Sequence, residues 1–263
     1  VIYWPTGSGK TALSIEVAKY INSEVISTDS RQIYRFMDIW TGKVTVDEME
    51  NIPHYMLDMI SPDQKFSVWE FKKISIEHIN EINNNWKIPI LCWGTWLYID
   101  SLIYNFDIPK VPADENLRNK LEKEAKEFGN EYIYKQLQNL DPQYAQELHP
   151  NNVQYVIRAL EVKLLSWKSK KDFRWDKTLQ YDTLFLTPYN WDREFLYDRI
   201  NTRVKMMFDE WLINEVKKLR DVYWDETPWL STIWYIEVVK YLQWEYSLEE
   251  CISFVQQHNR NYA

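Results

Sequence analysis

The first eleven residues, Val1-Ile2-Tyr3-Trp4-Pro5-Thr6-Gly7-Ser8-Gly9-Lys10-Thr11, constrain the rest of the chain. A short apolar run ends in a Pro/Gly/Ser turn, and Gly-Lys-Thr opens a helical pattern over 11–21 with Leu13, Val17 and Ala18 inward. Main-chain N–H groups of such a turn, at the positive end of a helix, cradle phosphate oxygens. In the P-loop pattern G-x-x-x-x-G-K-[ST] the lysine reaches the terminal phosphates and the last hydroxyl sits on Mg²⁺. Those roles fall here to Lys10 and Thr11, with Pro5, Thr6, Gly7, Ser8 and Gly9 as the cradle. One position departs, because Trp4 stands where the pattern needs glycine. An ordinary strand–helix turn also accommodates Gly9-Lys10-Thr11, but its place between a strand pattern and a helix pattern favours the phosphate reading.

Strand patterns recur at 24–28, 54–60, 89–92 and 182–187, and 66–83 reads as a helix between two of them. Residues 24–28 deliver Asp29 and Ser30 at their carboxyl end, and 89–92 lead to Gly94 and Thr95. Ligands of open α/β sheets gather at that edge. The alternation predicts an α/β fold, a P-loop NTPase-like doubly wound parallel sheet. A Pro-bearing linker at 107–114 then opens a stretch, 117–166, with helical periodicity only. The expected organisation is a core over 1–110, an inserted all-helical domain over 111–176, and the core continued over 177–263. Helices are expected over 192–220, 230–244 and 248–262, and both ends read as cuts within a longer chain.

The net charge of −8 is adverse for a nucleic-acid binder, so any such role needs a local basic patch, for which 168–174 is the candidate. Cys92 and Cys251 are too few for a disulfide framework, and no apolar run is long enough to cross a bilayer. These features predict a cytoplasmic protein with no membrane partner, expected to be a monomer. His54, His78, His149 and His258 have no metal-ligand spacing. The chain has 14 Trp and only 5 Gly, against a usual glycine content of roughly 7%. Trp4, Trp86, Trp93, Trp167, Trp224 and Trp229 stand where turn chemistry calls for glycine. Many of these tryptophans are therefore expected to be glycine in the working protein, through a reassigned stop codon; the alternative is a genuinely Trp-rich, inactive chain.

Three motifs in order, Trp4-Pro5-Thr6-Gly7-Ser8-Gly9-Lys10-Thr11, Asp29-Ser30-Arg31-Gln32-Ile33-Tyr34 and Trp93-Gly94-Thr95-Trp96-Leu97-Tyr98, resemble the tRNA dimethylallyltransferase (tRNA isopentenyltransferase) family. The family carries G-P-T-x-S-G-K-T, D-S-x-x-x-Y and G-G-T-x-L-Y, and the departures are almost all Trp at family Gly. The resemblance implies a prenyltransferase. It would move a dimethylallyl group from dimethylallyl diphosphate to N6 of the adenine next to the anticodon, in tRNAs that read codons beginning with U.

By the same resemblance the loop from Trp4 to Thr11 holds the donor's diphosphate with Mg²⁺ on Thr11, Arg203 adds a second cation, Asp29 is the base and Thr95 hydrogen-bonds near the reacting centre. The tRNA anticodon stem-loop would meet Asp29, Ser30, Arg31, Gln32 and Thr95, then Arg118, then Gln154, Tyr155, Val156, Ile157 and Arg158. Ser231, Thr232, Ile233, Trp234, Tyr235 and Ile236 complete that surface. Bland counterparts stand beside these roles: a helix cap for Asp29, a turn residue for Thr95, a solvated helix face for Arg118 and a helix-surface ion pair for Arg203. The rival functions are a small P-loop kinase, a prenyltransferase acting on free nucleotide, and a non-catalytic tRNA-binding relative if the tryptophans are genuine.

Overall fold

The computed structural model describes residues 1–3, 5–106, 109, 111, 113–173, 175–188, 192–223 and 235–263; Trp4, Ser231, Thr232, Ile233 and Trp234 of the expected site lie outside them. Two compact units are present, Val1–Ile103 with Tyr181–Ala263, and Tyr104–Gln180.

The first unit opens with α1 (Lys10–Tyr20), β1 (Val25–Thr28), α2 (Val46–Met49), β2 (His54–Tyr55), α3 (Val68–Asn84), β3 (Ile90–Trp93) and α4 (Trp96–Ile103). All four residues of β1 are buried, as a strand covered on both faces requires. It pairs in parallel with β2 through Ile26 and Tyr55 and with β3 through Ile26 and Leu91. Ile2 bridges in parallel to both Cys92 and Leu186, which carries the parallel order on through the two ends of this unit. Ile2, Ala18, Val25 and Ile90 form one core cluster where α1 covers the sheet. The carboxyl ends of β1 and β3 are therefore neighbours at one edge.

The expected strand over 54–60 stops at Tyr55, because Met56 and Asp58 take left-handed backbone at φ 65° and 53°. Helix α3 matches its pattern and starts at a capping box: Ser67 Oγ accepts from Glu70 N–H, and Glu70 accepts from Ser67 N–H. The C-terminal part folds as α9 (Arg193–Asp209), α10 (Leu212–Tyr223), α11 (Tyr235–Leu242) and α12 (Leu248–Tyr262), numbered after the helices of the second unit. The single helix expected over 192–220 is broken, since Trp211 at φ 80° turns the chain out of it.

The second unit comprises β4 (Tyr104–Phe106), α5 (Glu115–Phe128), α6 (Asn130–Leu140), α7 (Pro142–Ala145), α8 (Val153–Ser166), a short 3-10 turn Lys170–Asp172, and β5 (Trp175–Leu179). Its core is Leu121, Ile133, Leu137, Val156 and Leu160, drawn from α5, α6 and α8. Antiparallel pairing of β4 with β5, with Tyr104 opposite Leu179, closes the unit. The unit thus reaches past the 111–176 expected for an all-helical insertion, because a two-stranded clasp sits at its two ends.

Candidate active site

The loop before α1 takes the backbone that only glycine adopts without strain, with Gly7 at φ 78° and Gly9, the helix N-cap, at φ 98°. Lys10 folds back so that Nζ donates to the Pro5 carbonyl at 2.7 Å. Burial pushes the Lys10 ammonium down to about 8, with Arg203 adding to the effect and Cys92 and Asp29 opposing it. Ser8 Oγ is buried with no hydrogen-bond partner among the described residues.

Helix α9 lies across this loop. A Cβ at Gly7 would sit 3.1 Å from Ile200 Cγ1, so the loop and helix touch at bare backbone. One turn on, Arg203 donates to Thr6 Oγ1 at 2.9 Å and its guanidinium fills the space over Gly42. Burial lowers the Arg203 pKa, and the Asp29 charge acts against that. Arg199, four residues earlier and so on the same helix face, reaches the Gly9 end of the loop and lines the same cavity. Sequence reading singled out Arg203 and passed over Arg199; the i,i+4 spacing of the two cations was the available signal.

At the sheet edge Asp29 and Thr95 come together from β1 and β3. Asp29 Oδ1 accepts from Arg31 N–H at 2.8 Å, while Thr95 Oγ1 accepts from Ser30 N–H and donates to Ser30 Oγ, both at 3.0 Å. A Cβ at Gly94 would run into the Asp29 carboxylate, so close approach of the two strand ends demands glycine there. Burial raises the Asp29 pKa above the ordinary carboxylate value; the Arg31 N–H and the Lys10 charge restrain the shift.

These groups share one cavity of about 1860 Å³ that includes Thr6, Lys10, Thr11, Asp29, Thr95 and Arg203. Ligand pockets usually measure roughly 300–1,000 Å³, so this cavity exceeds the usual size. Residues 38–43 form one wall. Gln32 secures it from within, accepting from Ser27 Oγ at 2.8 Å and donating to the Thr41 and Gly42 carbonyls. Glu215 of α10 secures it from behind, accepting from the N–H groups of Asp38 and Ile39, both at 2.8 Å, and of Trp40 at 3.3 Å. Nothing in the local sequence marked Glu215, because its partners lie about 175 residues away.

The second unit places the remaining expected contacts. Gln154 and Tyr155 are exposed on α8, and Arg158 is half-buried. Val156 and Ile157, expected on the tRNA surface, have side chains packed in the helical core, because they fall on the inward face of α8. Arg118 is held by Glu161 through two 2.8 Å bonds, and Arg158 bonds the same carboxylate. In the basic stretch, Lys171 pairs with Glu147 at 2.7 Å and Lys170 lies 5.5 Å above the Tyr155 ring, while Arg174 is outside the described residues. Tyr235, in α11 of the first unit, is buried and gives its hydroxyl to Glu215 at 2.9 Å, while the next residue, Ile236, is partly exposed.

Residues 32–263 match the family model described as IPP transferase. The chain belongs to the IPP transferase family. The tRNA dimethylallyltransferase of Acetivibrio thermocellus is 44% identical over 266 residues, spanning all of this chain and 85% of that protein. That of Bacillus anthracis is 44% identical over 265 residues, covering all of this chain and 84% of its own length. Among solved structures, the full-length tRNA isopentenylpyrophosphate transferase of Bacillus halodurans is 38% identical, with a TM-score of 0.69 over 99% of this chain and 82% of that one. A eukaryotic dimethylallyltransferase captured acting on tRNA is 30% identical, with a TM-score of 0.86 over all of this chain and 67% of that one. Membership of this family does not favour the small P-loop kinase. Among the described residues no helix is long and apolar enough to cross a membrane.

Proposed function

We propose that this family member is a tRNA dimethylallyltransferase, built on a P-loop NTPase-like core, that prenylates N6 of an adenine in the tRNA anticodon stem-loop. The observation that carries the reading is the meeting of a half-buried carboxylate, Asp29, with three cations, Lys10, Arg199 and Arg203, in one cavity at the carboxyl edge of a parallel sheet. In the reaction the bond from the allylic carbon to the diphosphate oxygen breaks and a bond from that carbon to N6 forms. The N6 proton goes to Asp29, and diphosphate leaves.

Loss of an allylic diphosphate needs its departing charge held by fixed donors. The loop amides, Lys10 and Arg203 supply them. Adenine N6 is a poor nucleophile, and a carboxylate whose pKa burial has raised is the stronger proton acceptor. A base in a loop must leave its stack to reach a site at this sheet edge. Thr95 fixes Ser30 and so the segment on which Asp29 sits.

Mg²⁺ takes few protein ligands and completes its shell with water and phosphate oxygens. The Thr11 hydroxyl, lining the cavity beside the loop, fits that sparse set and would hold the ion. When bound it would offset charge on the leaving group. On the second unit Gln154, Tyr155 and Arg158 offer an exposed amide, an aromatic face and a cation to the stem-loop. Arg118 and Arg158 bind phosphate only through N–H groups that Glu161 leaves over.

The test is transfer of labelled dimethylallyl from its diphosphate to unmodified tRNA. Asp29→Asn should cut kcat by about 10²–10⁴-fold, the usual worth of a general base, while tRNA binding persists. Unchanged transfer would remove Asp29 from the chemistry, and a chain that binds neither donor nor tRNA would overturn the assignment.

A further inference from the structure

We infer that Trp86, Trp167, Trp211 and Trp244 are glycine in the protein as its own cells make it. All four have left-handed backbone, with φ of 59°, 60°, 80° and 64°. Each follows the end of a helix: α3, α8, α9 and α11. The hydrogen bonds are those of glycine caps. After α3, Trp86 N–H donates to the Asn83 carbonyl and Lys87 N–H to Ile82. After α11, Trp244 N–H donates to Tyr241 and Glu245 N–H to Lys240, the same pair of bonds one helix along. After α8 a single bond runs from Trp167 N–H to Lys163.

Packing gives the indoles nothing in return for this backbone. They are 97%, 82%, 70% and 94% exposed, so their apolar area stays in water. A left-handed residue with a Cβ costs on the order of tenfold in the folded-to-unfolded ratio. Where the chain caps α1 the same way it uses Asn22, one of the residue types that tolerate this region. One event accounts for all four positions: a single codon, a reassigned stop, written as Trp but translated as Gly at source. Applied to Trp4 and Trp93, the same codon reading restores the glycine of G-x-x-x-x-G-K-T and the pair preceding Thr95.

Peptide mass spectrometry on the protein isolated from its source cells decides the matter. Glycine masses at 86, 167, 211 and 244 are expected, and tryptophan at them overturns the inference. A second measurement is urea unfolding of the chain as written against the W86G/W167G/W211G/W244G chain. Each replacement should raise the folded-to-unfolded ratio roughly tenfold, whereas W69G, inside α3, should lower it. A quadruple variant less stable than the written chain would also overturn the inference.

We also propose that Glu215 is a positioning residue for the donor site, an inference that rests on the function given above. Its carboxylate gathers three consecutive N–H groups and the Tyr235 hydroxyl. The segment so fixed brings Gly42 under the Arg203 guanidinium, and Arg203 in turn bonds Thr6 of the phosphate loop. In Glu215→Gln one oxygen becomes an N–H₂ facing main-chain donors, and the wall shifts. KM for dimethylallyl diphosphate should rise about tenfold, with kcat and the KM for tRNA little changed. A rate that falls only in proportion to the folded fraction, with KM constant, would make Glu215 merely structural. Wild-type chain unable to transfer prenyl at all would instead sink the underlying function.

Discussion

Two charge clusters, one in each unit, are built in opposite ways. In the second unit, burial works against the charge on fully buried Glu161, yet Arg118, Arg158 and the Asp114 N–H together bring its pKa below the usual range. Both guanidiniums there have the Glu161 carboxylate as an acceptor. In the α/β unit burial prevails: Asp29 is raised, Lys10 is lowered to about 8 and Arg203 is lowered too. The three share a cavity, where Lys10 donates to the Pro5 carbonyl, Arg203 donates to Thr6 Oγ1 and Asp29 accepts from the Arg31 N–H. A cluster whose charges neutralise one another holds a scaffold together, whereas charges that share a cavity are suited to meet the charge a substrate brings.

Glu161→Ala should produce the largest effect on folding. It leaves two guanidiniums, each about a quarter to a third exposed, facing a cavity without their anion. A loss of roughly 3 kcal/mol is expected, read by urea unfolding, with no comparable loss for Asp29→Asn. Equal losses would erase the distinction between the clusters.

Acid should separate the two clusters next. Glu161 has a depressed folded pKa, so the stability it contributes is present above its unfolded value of about 4.5 and is lost as pH falls through the folded one. Asp29 has a raised folded pKa, so its contribution is complete below about 3.8 and is lost as pH rises. As the proposed proton acceptor Asp29 must be ionised, so kcat should fall tenfold per pH unit below its raised pKa. Asp29→Asn should abolish that limb, and a limb retained in the variant would assign it elsewhere.

Base gives the smallest effect. Lys10 titrates near 8, so its ammonium is present below that pH and is lost above it. Affinity for dimethylallyl diphosphate should weaken by up to tenfold per unit above pH 8, measured as KM against pH. Lys10→Arg stays charged and should flatten the profile; a wild-type KM constant up to pH 9.5 or so would show that Lys10 does not hold the donor.

The half of the candidate site at the loop and sheet edge was legible because its pieces are short and local. A Gly-Lys-Thr at a helix start, an Asp after an apolar strand and a Gly-Thr after another need only backbone rules to be read. The capping box at Ser67 and Glu70 was available in the same way. Faces of helices are harder: the resemblance puts Gln154 to Arg158 on one surface, but the 3.6-residue period turns Val156 and Ile157 inward. The break at Trp211 was hidden because an indole there gave no turn signal.

By itself the sequence determined the alternation of strands and helices in the first half, the Gly-Lys-Thr turn ahead of α1 and the mismatch between tryptophan and turn, since each follows from residue type and spacing along the chain. Only the tertiary structure decided that Arg203 crowns Thr6, that Glu215 braces the wall across from it, and that Arg118 and Arg158 share one carboxylate. Those partners are 43 to 197 residues apart or join through a single buried oxygen. No local pattern specifies such meetings; they exist because packing the sheet and the helical core removes water from charges that must then find, or await, a counter-charge.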